Sequence, residues 1–166
     1  MTIQVDSVVL GLNAELLPLQ ISNDPNLSSL ILNDKNKNLP TIISKHKDIT
    51  YGYIRLIFNQ KEIFNEDLRD YLLHKWIITI DWLEDYITNG EAIMIEPEGI
   101  SIKKGKEKTI LFTNAIDKKK LILPEDEFLE KTLNSGKHFF KLFIQLTKMT
   151  EYQKYVLKID KLLRAI

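Results

Sequence analysis

The chain of 166 residues contains no cysteine. This absence excludes disulfide bonds, thiolate nucleophiles and the cysteine-containing structural zinc sites. A reducing compartment is compatible with such a composition.

Glycine is also scarce, at six residues. The sequence has no glycine-rich loop of the GxGxxG, GxxxxGK[ST] or GxSxG type, which would bind phosphate or present a strained serine. The three histidines, His46, His74 and His138, lie in separate segments and lack the short spacing of a metal site. We therefore predict a protein that is not an enzyme and needs no cofactor.

Long apolar runs are missing too. No stretch of about 18 uninterrupted apolar residues is present, and residues 1–6 lack the basic-then-apolar order of a signal peptide. Hydrophobic residues make up 44% of the chain and charged residues 28%, a balance typical of a folded globular protein. The expectation is an intracellular protein without a membrane partner.

The net charge of zero hides an uneven distribution. Residues 1–102 carry 8 Lys/Arg and 15 Asp/Glu, a net charge of −7, and residues 103–166 carry 15 and 8, a net charge of +7. Opposite halves can face each other or a second copy of the chain. Alternatively, the basic half can meet nucleic acid or an acidic protein.

Residues 1–102 alternate between patterns typical of strands and helices. Short apolar runs predict strands, and helical spacing with capping residues predicts the segments between them. The predicted strands are 8–12, 41–43, 53–58 and 76–80, and the predicted helices are 25–32, 65–75 and 81–89. Strands separated by helices favour an α/β fold with a small, mostly parallel sheet flanked by helices.

Residues 103–166 have a different character. Residues 109–113 and 119–123 have the composition of two paired strands, which predicts a β-hairpin. Pro124 then begins amphipathic segments with an interruption near Ser135 and Gly136, which predicts two or three helices. We therefore divide the chain into an α/β domain, 1–102, and a basic hairpin with a helical extension, 103–166, packed on the first domain or independent of it.

Residues 75–87 read Lys-Trp-Ile-Ile-Thr-Ile-Asp-Trp-Leu-Glu-Asp-Tyr-Ile. This segment resembles the last strand and last helix of a BRCT domain, and the resemblance is strongest over residues 54–90. It implies that Trp82 is the characteristic core tryptophan of that family and that Thr79 closes the strand. Trp76 joins them as a predicted core residue.

The BRCT resemblance implies a protein–protein interaction module in DNA repair or chromatin, and a nuclear location. Without it, the expected location is cytoplasmic. Phosphopeptide-binding members of the family use a lysine in the helix before the last strand. Here Glu66, Asp67 and Arg69 occupy that helix, so phosphoserine recognition by that route is not expected.

Lysines concentrate between residues 103 and 120, where they form the candidate partner-binding set. Lysine is a good non-specific contact for phosphate, although a solvated loop has the same composition. The candidate residues are Lys103, Lys104, Lys106, Lys108, Lys118, Lys119 and Lys120. The predicted hairpin places the lysines of 103–108 and 118–120 at its opposite ends or flanks.

Three functions are compatible with these patterns. The first is a non-catalytic, BRCT-like protein-interaction module. The second is a small structural subunit of a larger viral or phage assembly, packing on neighbours or on copies of itself through the face that carries Phe139, Phe140 and Phe143. The third is nucleic-acid binding through the 103–120 lysines.

Overall fold

The computed structural model describes residues 2–10, 29–31, 51–64, 70–94, 99–115 and 118–166. The predicted strand 41–43, most of the predicted helix 25–32 and the residues Glu66, Asp67 and Arg69 lie outside this range. The described elements fall into two antiparallel sheets and a layer of helices.

The first sheet contains β1 to β5. In order along the chain these strands are Ile3–Leu10, Ser29–Ile31, Tyr51–Phe58, Lys61–Phe64 and Asp70–Tyr71. Their order across the sheet is β2-β1-β3-β4, with β5 also beside β3, and every pairing is antiparallel. The strand predicted at 53–58 is confirmed as part of β3. That predicted at 8–12 overlaps the end of β1, and its last two residues lie outside the described part.

The prediction of a mostly parallel sheet is wrong. A parallel pair needs a crossover connection, normally a helix, between its strands. Residues 29–31 of the predicted helix 25–32 form strand β2, and the predicted strand 76–80 lies inside a helix. Among the described residues, a helix does lie between the strands Asp70–Tyr71 and Glu91–Ile93, but these strands belong to different sheets, so this order does not produce a parallel pair.

Helix α1 spans Leu72–Asn89 and replaces three predicted elements: the end of helix 65–75, strand 76–80 and helix 81–89. Its buried side chains recur at helical spacing along its whole length, namely Leu72, Trp76, Thr79, Ile80, Trp82, Leu83 and Tyr86. The helix ends at Gly90, whose left-handed conformation lets its N–H donate to the Tyr86 carbonyl at 2.7 Å.

The second sheet follows directly. Strands β6 to β9 are Glu91–Ile93, Ile100–Lys104, Thr109–Asn114 and Lys119–Pro124, and they pair antiparallel in chain order. The predicted hairpin is present as β8 and β9, with Leu111 opposite Ile122. The proposed domain boundary at residues 102 and 103 falls within β7.

Helix α2, Glu125–Thr147, is continuous where an interruption was predicted near Ser135 and Gly136. Both small residues allow close packing instead. The Ser135 hydroxyl donates to the Val5 carbonyl of β1 at 3.0 Å. A Cβ atom on Gly136 would lie 3.0 Å from the Trp76 ring of α1. A 3₁₀ turn, Thr150–Tyr152, leads into helix α3, Gln153–Leu163.

One hydrophobic core joins both sheets and all three helices. Its buried residues run from Ile3 in β1 to Leu162 in α3, so residues on both sides of position 102 share it. Aromatic rings form its centre: Trp76 stacks on Phe139 at 6.1 Å between ring centroids, and Phe139 stacks on Phe143 at 5.7 Å. Phe64 links the first sheet to Phe112 of the second at 5.7 Å.

Candidate functional site

The second sheet has one face in the core and one face in solvent. Side chains alternate between the two faces of a strand. In β7 and β8 the core side takes Ile102, Ile110 and Phe112, all at most 1% exposed. The opposite side chains form a surface that we name the outer face: Glu91, Ile93, Ser101, Lys103, Thr109, Leu111, Thr113, Lys120 and Ile122.

Large aliphatic side chains stand out on this outer face. Ile93 is 74% exposed, Ile122 66% and Leu111 40%. Leu111 and Ile122 are cross-strand partners, so their side chains are neighbours, and Leu111 also faces Lys103. Ile93 lies in the next row, where Ser101 and Thr113 separate it from Lys120. The outer face therefore combines polar and aliphatic side chains, with Ile93 on β6 and Leu111 and Ile122 on β8 and β9.

The seven predicted lysines fall into two groups at opposite ends of this sheet. The β7–β8 group surrounds the first turn: Lys103, Lys104, Lys106 and Lys108. The β8–β9 group surrounds the second: Lys118, Lys119 and Lys120. Strand β8 lies between the two turns and is roughly 17 Å long at about 3.4 Å per residue. The structure thus places the two lysine groups at opposite ends of the sheet, as the predicted hairpin implies.

Carboxylates compensate most of the β7–β8 group. Lys103 pairs with Glu91 at 3.1 Å and Lys108 with Asp126 at 2.9 Å. Lys104 lies 3.8 Å from Glu125. Exposed ion pairs contribute little stability, but each places a negative charge beside the ammonium group. This end of the sheet is consequently a weaker anion site than its lysine content indicates.

The β8–β9 group is different. Lys118 and Lys120 are exposed, and no carboxylate in the described part of the chain pairs with either. Lys120 belongs to the outer face itself, two residues from Ile122 on the same strand. Two exposed lysine side chains therefore lie beside the exposed aliphatic side chains.

A buried carboxylate lies below the β7–β8 turn. Glu125, the first residue of α2, is buried and accepts a hydrogen bond of 2.8 Å from the Tyr86 hydroxyl. Both side chains line an open cavity of about 460 Å³ together with Lys104 and Lys108. A carboxylate at a helix N-terminus is stabilised by the helix dipole. The dipole and the hydrogen bond from Tyr86 therefore account for the buried position of Glu125 without a functional role.

Replacing Tyr86 with phenylalanine should cost about 1–3 kcal/mol of folding free energy at neutral pH, because buried Glu125 would lose its donor. Burial, with the Glu125 carboxylate, raises the pKa of Tyr86 above its ordinary value. The stability that the Tyr86 hydroxyl contributes is therefore complete below about pH 10, the pKa of an unfolded tyrosine. It is lost as the pH rises from there toward the raised pKa of Tyr86 in the folded protein.

Urea unfolding of both proteins at neutral and at alkaline pH checks this expectation. The stability difference between the wild type and Tyr86→Phe should shrink at alkaline pH. A difference that stays constant with pH would show that the hydroxyl proton does not contribute through this hydrogen bond.

The predicted core residues lie away from the outer face. Trp76, Thr79 and Trp82 are all buried in α1. The Trp76 indole N–H donates to the Ser7 hydroxyl at 2.9 Å. These residues support the two sheets and do not contribute to a binding surface.

Sequence reasoning missed Ile93, Leu111 and Ile122. Residues 121–123 read Leu-Ile-Leu, so hydrophobicity alone does not show which of them points outward. The alternation of Lys120, Ile122 and Pro124 with Leu121 and Leu123 becomes meaningful only once β9 is paired with β8.

Comparison with known proteins gives no match to a protein-family model, a curated protein or a solved structure. Within the described residues, no helix is long and apolar enough to cross a membrane. Nor do three or more metal-ligating side chains come together anywhere in those residues.

Proposed function

We propose that the chain is a non-catalytic protein-binding module whose partner docks on the outer face of the second sheet. The observation that carries this proposal is the exposure of Ile93, Leu111 and Ile122 on one face of a sheet. Covering these side chains with a partner removes apolar surface from water, which is the main driving force of protein association.

The sheet behind the outer face is firmly anchored. Ile100, Ile110, Phe112 and Leu123 are completely buried on its inner side. Glycine-free strands β7, β8 and β9 hold their register over their full lengths. A partner would therefore meet a preformed surface, which lowers the entropic cost of binding.

The structural-subunit alternative loses its main support. Phe139, Phe140 and Phe143 are completely buried in the core of the chain itself, so the face that they form is not free to pack on neighbours. Nucleic-acid binding through the lysines is supported less well than protein binding, because the candidate set is divided and partly compensated. A DNA-repair or chromatin setting, and with it a nuclear location, stays a prediction from the BRCT resemblance.

Capture experiments test the proposed surface. Tagged full-length protein would be incubated with a nuclease-treated extract of its native cells, and bound proteins would be identified by mass spectrometry. The triple variant Ile93→Ser, Leu111→Ser, Ile122→Ser should lose the partner that the wild type retains, because the apolar contact is gone.

Leu157→Ser is the matched control, since Leu157 is 62% exposed but lies on α3. It should retain the partner. Equal capture by the wild type and the triple variant would exclude the outer face as the binding surface, provided that circular dichroism shows both to be folded.

A further inference from the structure

We infer that the segment which docks on the outer face is acidic as well as aliphatic, and that Lys118 and Lys120 recognise its carboxylates. The inference rests on the proposed function and specifies its partner. Its basis is the position of two exposed lysines, which have no carboxylate partner among the described residues, next to exposed aliphatic side chains.

A partner that contacts the exposed aliphatic side chains also contacts Lys120. It occupies the outer face on the same strand as Ile122, two residues away, with Thr113 opposite it on β8. A partner that covers Ile122 also removes water from the Lys120 side chain. Burying an unpaired ammonium group is costly, whereas a partner carboxylate placed beside it offsets that cost.

Lys118 adds to the positive charge at this end of the sheet. It is exposed and has a left-handed backbone conformation with φ of 55°, in the turn just before β9. Among the described residues, carboxylates accompany lysines at the opposite end of the sheet, where Glu91 pairs with Lys103 and Asp126 with Lys108, and none pairs with Lys118 or Lys120. Lys118 and Lys120 therefore lie together at one end of the sheet, and we expect an acidic group of the partner to dock at the β8–β9 turn.

A protein fits this surface better than a nucleic acid. Single-stranded nucleic acids bind proteins through aromatic side chains on which bases stack. The exposed large side chains of the outer face are instead aliphatic, namely Ile93, Leu111 and Ile122. Phosphate groups would gain nothing from them, while leucine, valine or isoleucine side chains of a peptide would.

The lysines have a competing structural explanation. Strand β9 forms one edge of the second sheet within the described residues, and lysine and proline on an edge strand hinder pairing with other chains. Lys119, Lys120 and Pro124 all lie on β9. If edge protection were their role, removing the charges would increase self-association and leave acidic ligands unaffected.

Fluorescence anisotropy with defined peptides distinguishes these explanations. The probe is a short labelled peptide of alternating leucine and glutamate; its counterparts alternate leucine with lysine and serine with glutamate, and a single-stranded DNA of similar length is added. The wild type should bind the leucine–glutamate peptide best, with affinity that falls in high salt.

The variant Lys118→Gln, Lys120→Gln should weaken this binding by about tenfold, since close charge pairs at interfaces contribute strongly to affinity. Lys154→Gln, Lys161→Gln is the matched control: it changes the net charge equally, but both lysines lie exposed on α3. It should bind the peptide as the wild type does.

Four results would overturn the inference: no binding of the leucine–glutamate peptide, equal binding of the leucine–lysine peptide, tighter binding of the DNA, or unchanged affinity in the Lys118→Gln, Lys120→Gln variant. Its failure is separable from failure of the proposed function. Peptide binding that is lost in the Ile93, Leu111, Ile122 triple variant but kept in the lysine variant would support the outer face and reject acidic recognition.

Discussion

Replacing Trp76 with alanine should destabilise the protein by about 3–5 kcal/mol, the usual cost of truncating a buried large aromatic residue. Trp76 is completely buried in α1. Its ring stacks on Phe139 and lies against Gly136 of α2, and its N–H donates to the Ser7 hydroxyl of β1. One side chain thus joins three elements, and its removal would leave a cavity and an unpaired buried hydroxyl.

Equilibrium urea unfolding, followed by far-UV circular dichroism, measures this loss. A loss of this size is a large fraction of the roughly 5–15 kcal/mol that stabilises a typical domain, so the variant is expected to unfold at a much lower urea concentration. Leu157→Ala, at an exposed position of α3, should change stability by less than about 0.5 kcal/mol. Comparable stability of the two variants would show that α1 is not packed between β1 and α2 as described.

Trp76 also shows why the fold class could not be predicted correctly. Residues 76–80, Trp-Ile-Ile-Thr-Ile, are β-branched or aromatic throughout and have the length of a buried strand. A short apolar run does not distinguish a buried strand from a buried helix. The longer spacing of Leu72, Trp76, Ile80 and Leu83 is helical and continues through this run, so a wider window contains the correct signal.

Local pairing was easier to predict than long-range pairing. Strands β8 and β9 are separated by four residues, and their composition and spacing were enough to predict the hairpin. Strand β1 pairs with β3 from about fifty residues away, with Val5 opposite Leu56. Nothing in the local sequence of either strand specifies this partner, because the pairing depends on the packing of the whole core.

In the candidate site, too, local features could be predicted and long-range contacts could not. The lysines could be found from composition, and their separation by the hairpin from the predicted strand pairing. Their ion pairs with carboxylates could not be predicted. Glu91 belongs to β6 and Asp126 to α2, and only the folded chain brings these carboxylates to Lys103 and Lys108. The exposed aliphatic residues could be identified only from the register of strands β6 to β9.

Gly136→Val should destabilise the protein by about 3 kcal/mol, at the upper end of the usual cost of overpacking a core. A Cβ atom at this position would lie 3.0 Å from two carbons of the Trp76 ring and 3.1 Å from Ile80 Cδ1. Valine adds two further carbons at this crossing of α1 and α2. Gly136→Ala should cost less, because alanine adds one carbon and favours the helix by about 1 kcal/mol relative to glycine.

The interpretation of Gly136 as a close-packing residue, and not a helix break, can be tested with a second change. Trp76→Phe removes part of the ring system that the new side chain would meet. The two substitutions should therefore be non-additive: Gly136→Val with Trp76→Phe should be more stable than the two single effects predict by about 1 kcal/mol, within the range seen for residues in contact. Additive effects would mean that the α1–α2 crossing moves apart to accept valine, and that Gly136 does not set the distance between these helices.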